Sequence, residues 1–200
     1  MRKTPYLLCL YLFISAGLSA QGVPSAEGSS VMVWAGAEIS MFNPDYGCGS
    51  SSPFSCGSGL LFGISPYVDV NHLFFHRIGA EGQARFLHWG GPGRGISESS
   101  YLAGPRFALV QFKRTLFVSG KVLVGMGNIN LPPGTSGDGS HFVYAPGCVA
   151  DYRLTRRFAA RAEYEYQIWP SFQGTPTATT TGKGGLTPNG FSFGVSYALR

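Results

Sequence analysis

Charge is what this sequence has least of. Only 12% of its residues are Asp, Glu, Lys or Arg, where a soluble domain usually carries about 25%. Beyond residue 20 there is no apolar run of 18 residues, which excludes a bundle of membrane-spanning helices. The basic residues form no block, so the chain has no electrostatic footprint for nucleic acid. What is abundant is aromatic side chains, at 14%, together with 29 glycines. Few charges, many aromatics and many glycines suit strands lying in lipid and joined by turns, and backbone in hydrocarbon that is not helical must close into a barrel.

The first 20 residues bear on the compartment. Arg2 and Lys3 precede the apolar run Tyr6 to Ile14, and Ser19 and Ala20 put small residues before Gln21. This is the pattern of a cleaved secretory signal, and the run is shorter than the roughly 20 residues that cross a bilayer. Cys9 lies within the run, away from the cleavage site. Without Arg2 and Lys3 the 15 basic residues become 13 against 10 acidic ones, so the formal charge falls from +5 to +3. Residues 21–30 read as a small, polar leader, and residues 31–200 as one domain.

Phe158 to Ile168, FAARAEYEYQI, states the organisation of that domain most plainly. Phe158, Ala160, Ala162, Tyr164, Tyr166 and Ile168 share one parity. Arg161, Glu163, Glu165 and Gln167 share the other, which is strand alternation with one greasy and one charged face. The same alternation runs through Val31 to Phe42, Leu60 to Val70, Arg77 to Trp89, Ser99 to Phe112, Leu116 to Met126, Phe142 to Arg153 and Gly190 to Leu199. Eight strands follow. The connections Asn43 to Gly59, Gly90 to Ser97, Asn128 to Ser140 and Trp169 to Pro188 are long, while those at Asn71 to His76, Lys113-Arg114 and Leu154 to Arg157 are short. Long and short alternate, so both termini lie on the short-turn side. The expected fold is all-β: an eight-stranded antiparallel up-and-down transmembrane barrel with apolar side chains facing lipid and polar ones inside.

Parity collects six acids on the inward face, Glu38, Asp69, Glu81, Asp151, Glu163 and Glu165, and four bases, Arg85, Arg106, Lys121 and Arg161. An eight-stranded barrel is only wide enough for side chains to fill it. These ten residues are therefore expected to form an interior ion-pair network, since buried charge is tolerated when partnered. A narrow polar conduit is the alternative. Pro66 and Pro105 fall inside strands and lack a ladder donor, which points to bulges or rim positions. Trp34, Trp89 and Trp169, with several tyrosines, fall near strand ends where interfacial girdles form, although Trp34 has inward parity.

The segments ESSYLAGPRFAL, APGCVADYRLTRRFAARAEYEYQIW and GFSFGVSYALR resemble the outer-membrane β-barrel domain proteins of OmpA-like architecture, over roughly Val31 to Arg200. The resemblance implies a bacterial outer-membrane location, contact with outer-membrane lipids, and insertion by the barrel-assembly machinery through Gly194, Tyr197 and Leu199 of the last strand. It leaves function open among structural anchors, surface-interaction proteins, narrow pores and lipid-modifying enzymes. A structural or surface-interaction role is the leading expectation, with a monomeric barrel and an unidentified surface ligand.

Cys48 and Cys56 enclose seven residues in a long connection of an exported chain. A disulfide there is expected, worth about 2–3 kcal/mol by chain entropy. Cys148 has outward parity and reads as a small hydrophobe. A lipid-cleaving site would need serine, histidine and an acid converging near the long-loop rim. His88 and His141, the latter beside Ser140, are the candidates by position. No acid of outward parity accompanies either, so no catalytic residue, metal or cofactor is expected. GGPGRG precedes no helix and reads as a loop.

Overall fold

A computed structural model of the protein describes residues 31–44, 60–74, 77–89, 96–113, 115–130, 139–172 and 185–199. The signal segment, the leader and the Cys48–Cys56 pair lie outside these residues. Eight strands run β1 (Met32–Asn43), β2 (Leu61–Phe74), β3 (Ile78–Trp89), β4 (Ser97–Phe112), β5 (Leu116–Asn130), β6 (Gly139–Arg153), β7 (Phe158–Tyr166) and β8 (Asn189–Ala198). Each pairs antiparallel with its sequence neighbour, and β1 pairs with β8, closing an up-and-down barrel with no free edge.

Strand ends are where the sequence pattern stopped short. β2 continues past Val70 to Phe74 through a register shift, β5 runs on to Asn130, and β6 begins at Gly139. Ladder hydrogen bonds do not require apolar side chains, so these strands continue past the apolar band. The expected bulges at Pro66 and Pro105 are absent: Pro66 faces Ala37 and Pro105 faces Ala80 in continuous register. In an antiparallel sheet a residue's N–H and C=O both point to one neighbouring strand. Each proline therefore keeps its pairing on one side and interrupts the ladder on the other, where Pro66 has no partner in β3 and Pro105 none in β5. The register shift in β4 falls at Ala108/Val110 instead.

The outward parity of all eight strands carries no Asp, Glu, Lys or Arg. Ile39, Ile64, Val124, Phe193 and Val195 are exposed there. Aromatic pairs border this band. Phe86–Tyr101, Phe142–Tyr144 and Tyr164–Phe191, with centroids 5.8, 4.8 and 4.9 Å apart, lie toward the long-connection rim, and Phe158–Tyr197, at 5.1 Å, lies at the short-turn rim. These are the girdles; Trp34 and Trp169 are not part of them, because both are buried inside the barrel. Charge placed in the middle of the apolar band should meet hydrocarbon. Val124→Arg is expected to cost about 2–4 kcal/mol and Phe112→Arg, at the rim, about 0–1 kcal/mol, read from urea unfolding out of phospholipid vesicles. Equal costs at the two depths would contradict a membrane-spanning band.

Candidate functional site

The barrel interior is layered. In the middle lie the ten charged residues, all on inward-facing positions. Twelve ion pairs among the described residues join them into one cluster. Arg161 on β7 is its hub: Nε lies 3.1 Å from Glu38, Nη1 3.3 Å from Asp69, and Nη2 2.6 Å from Glu81 and 3.1 Å from Glu163. Its guanidinium also stacks 3.9 Å from the centroid of the Tyr67 ring. Lys121 Nζ reaches Glu81 at 2.8 Å, Glu163 at 2.8 Å and Glu165 at 3.2 Å. Arg85 holds Glu163 at 3.1 Å and Glu165 at 2.5 Å, and packs 4.2 Å from the Phe42 ring centroid. Arg106 pairs with Asp69 at 3.0 Å and with Asp151.

Register alone does not make these pairs: Arg106 opposes Lys121 across β4 and β5 and Asp69 opposes Glu81 across β2 and β3, like charge beside like, while Asp151 opposes Arg161 across β6 and β7. Long side chains from opposite walls then meet across a narrow lumen. Polar neighbours complete the layer: Arg85 Nε donates to Ser65 at 3.0 Å, and Gln83 Nε2 lies 3.4 Å from both Glu38 and Glu163.

Toward the long-connection rim the lumen turns apolar. Phe42, Leu61, Leu87, Ile96, Leu102, Leu123, Ile129 and Val143 line it, and Trp169, Phe172 and Leu186 fill it from above, all buried. After β7 the chain does not leave the barrel at once. Ile168 bridges to Tyr144, and Trp169 exchanges backbone hydrogen bonds of 2.9 and 3.2 Å with Leu186, which folds this start of the last connection inward. The indole Nε1–H donates to Gln167 Oε1 at 2.9 Å, and Gln167 Nε2 donates to Glu165 at 2.9 Å, which links the plug to the charged layer. Gly127 is needed opposite it, because a Cβ there would run into the Trp169 ring.

Glu98 belongs to this interior and was missed by a β4 that began at Ser99. It is buried between Leu87 and Ile129, and both carboxylate oxygens lack a hydrogen-bond partner among the described residues. Its even parity, shared with Ser100, Leu102 and Arg106, was the available signal. At the short-turn end two adjoining cavities of about 60 Å³ each open between Trp34, Asn71, Arg106 and Arg153.

Ser140 and His141 are consecutive strand residues and so face opposite sides. Ser140 is exposed outside, while the His141 ring lies 5.3 Å from Phe172 and 6.2 Å from Trp169 in the mouth. His88 is exposed on the outer face. At His141 the neighbouring serine therefore faces away, whereas His88 stands opposite Ser97 of β4 on one face. Cys148 is half-buried on the outward side.

Among the described residues these charged side chains meet across the lumen with little accessible surface, so they fill it at this level. Among solved structures the fold is similar to the Neisserial surface protein A (NspA), with TM-score 0.57 and 13% identity, covering 86% of this chain and 99% of that one. It is also similar to Ail, the attachment invasion locus protein of Yersinia pestis, with TM-score 0.51 and 16% identity over 84% and 97%. A third likeness is to the outer membrane protein OprG of Pseudomonas aeruginosa, with TM-score 0.52 and 10% identity over 85% and 96%. At such identities the likeness is one of fold. No curated protein matches the sequence. The family model for the outer membrane protein beta-barrel domain matches residues 12–198. With that match spanning nearly the whole sequence and a closed eight-stranded barrel beneath it, the chain belongs to the outer membrane protein beta-barrel domain family.

Proposed function

We propose that the protein is a non-conducting, non-enzymatic barrel of the bacterial outer membrane that displays its long connections at the cell surface. In this reading it is exported through the signal at residues 1–20, and its short turns face the periplasm. The observation that carries it is the filled interior: Lys121, Arg161 and Glu163 have no accessible side-chain surface, and Trp169 seals the mouth above them. What remains for other molecules is the rims. The long-connection rim is the larger, spanning sequence positions 44–60, 90–96, 131–138 and 167–188. Two of the similar barrels are described as a surface protein and an attachment invasion locus protein, the second solved with a heparin analogue. This supports a surface-interaction role over a purely structural one.

Purified protein reconstituted in planar bilayers is expected to give no discrete conductance steps. Steps whose amplitude changes in Glu163→Gln would establish the narrow-channel alternative. Replacing the long connections with short turns, while the unboiled protein still migrates as a folded barrel, is expected to abolish adhesion of expressing cells to host-cell glycans. Adhesion unaffected by all four replacements would remove the surface role.

A further inference from the structure

The short-turn end of the lumen has a charge arrangement that the closed core does not require. Two chambers meet there. The inner one is lined by Asp69 and Asp151 together with Arg106 and Arg153, and its two carboxylates are paired by Arg106, whose Nη1 donates to Asp69 at 3.0 Å and Nη2 to Asp151. The outer one is lined by Arg77, Arg106 and Arg153 with Trp34 and Asn71, and by no carboxylate. Arg77 and Arg153 make no ion pair among the described residues, and the buried Nε of Arg106 has no hydrogen-bond partner. Arg153 is nevertheless held in place, its guanidinium 4.7 Å from the Phe117 ring centroid and 5.9 Å from that of Trp34. Stacking of this kind fixes the plane of the fork and leaves its N–H donors available.

Around this chamber the rim has one sign. The three short turns, residues 74–78, 112–116 and 153–158, contain no Asp or Glu, and Lys113, Arg156 and Arg157 add to Arg77 and Arg153. A polar chamber walled by a barrel in lipid focuses that field inward. A cavity of about 60 Å³ compares with the 10–15 Å³ or so that one water needs, so a tetrahedral oxyanion fits with part of its hydration.

We propose that this chamber is a phosphate-binding site, in which Arg77 and Arg153 supply the guanidinium donors and Arg106 anchors the floor. Forked, planar donors from the turn before β3 and from the end of β6 match the several oxygens of a phosphate better than the single point charge of a lysine. The phosphate belongs either to an anionic phospholipid headgroup of the adjacent leaflet or to a soluble phosphate ester.

The test uses the folded full-length protein in a phosphate-free maltoside detergent, titrated with inorganic phosphate and followed by phosphorus NMR line broadening. Saturable binding is expected, weakened about tenfold by Arg77→Gln and by Arg153→Gln, as for loss of one charge-assisted hydrogen bond. Lys113→Gln, on the rim outside the chamber, should leave it unchanged. Arg77 is exposed on a turn, so its variant carries the test if Arg153→Gln fails to give the heat-modifiable folded form. Transfer into phosphatidylglycerol nanodiscs separates the sources: loss of phosphate binding there, and not in phosphatidylcholine nanodiscs, identifies the lipid headgroup, and retention in both identifies a soluble ligand. No saturable binding in detergent, or equal binding by wild type and both arginine variants, overturns the site.

Discussion

Replacing Arg161 with leucine is expected to destabilise the barrel by about 3–5 kcal/mol, the cost of removing one partner from a buried ion pair. Arg161 contacts four carboxylates, those of Glu38, Asp69, Glu81 and Glu163. Leucine leaves three interior cations for the six acids of the network, and Glu38 loses its only ion pair among the described residues. The loss comes from stranded charge more than from the pairs themselves, since buried pairs are close to break-even against apolar packing. Arg161→Lys retains the charge but not the fork that reaches four acceptors and stacks on Tyr67, so a smaller loss is expected. Urea unfolding from phospholipid vesicles measures both. A loss below about 1 kcal/mol for the leucine variant, as for an exposed pair, would mean that water reaches the network and that the lumen is not closed.

The parts of this architecture that the sequence made legible are those governed by alternation. A strand between lipid and a packed polar core must change character at every residue. Arg161, Glu163 and Glu165 between Ala160, Ala162, Tyr164 and Tyr166 leave no other assignment of faces. One such strand says little about topology, but eight of them separated by alternating long and short connections constrain the order of the sheet to an up-and-down closure. The opposition of Asp151 to Arg161 and of Arg106 to Lys121 then depends on register, which parity alone does not supply.

What was illegible lies where alternation stops. Glu98 was passed over because Ser97 to Ser100 resembles the polar connection before it, although its parity continues that of Arg106. The strand ends at Phe74, Asn130 and Gly139 were misplaced for a related reason: beyond the apolar band, hydrogen bonding goes on while the hydrophobic signal fades. Trp169 is the clearest case. It follows the last alternating residue, and tryptophan at a strand end reads as a headgroup anchor. Its inward turn depends on the Trp169–Leu186 bridge, whose two residues are separated by a connection with no periodic pattern. The empty place opposite it, Gly127, reads in sequence as one more strand glycine.

That pairing of Trp169 with Gly127 leads to the second large effect. Trp169→Ala is expected to cost about 3–5 kcal/mol, through lost apolar burial and the cavity left in the mouth. It also removes the indole donor that holds Gln167 in its link to Glu165. Gly127→Val attacks the same contact from the other wall. Its new side chain occupies the space of the indole ring, and overpacking a filled site costs about 1–3 kcal/mol. Because both changes act on one contact, their effects should not add. In the Trp169→Ala background the valine enters space the ring has left, so Gly127→Val should be nearly neutral or mildly stabilising there. Neither variant should conduct in planar bilayers, because the ion-pair layer beneath the plug remains closed. Additive losses in the double-mutant cycle would place the Trp169 ring outside the mouth. Conductance in Trp169→Ala alone would make the plug, and not the charged layer, the seal of the barrel.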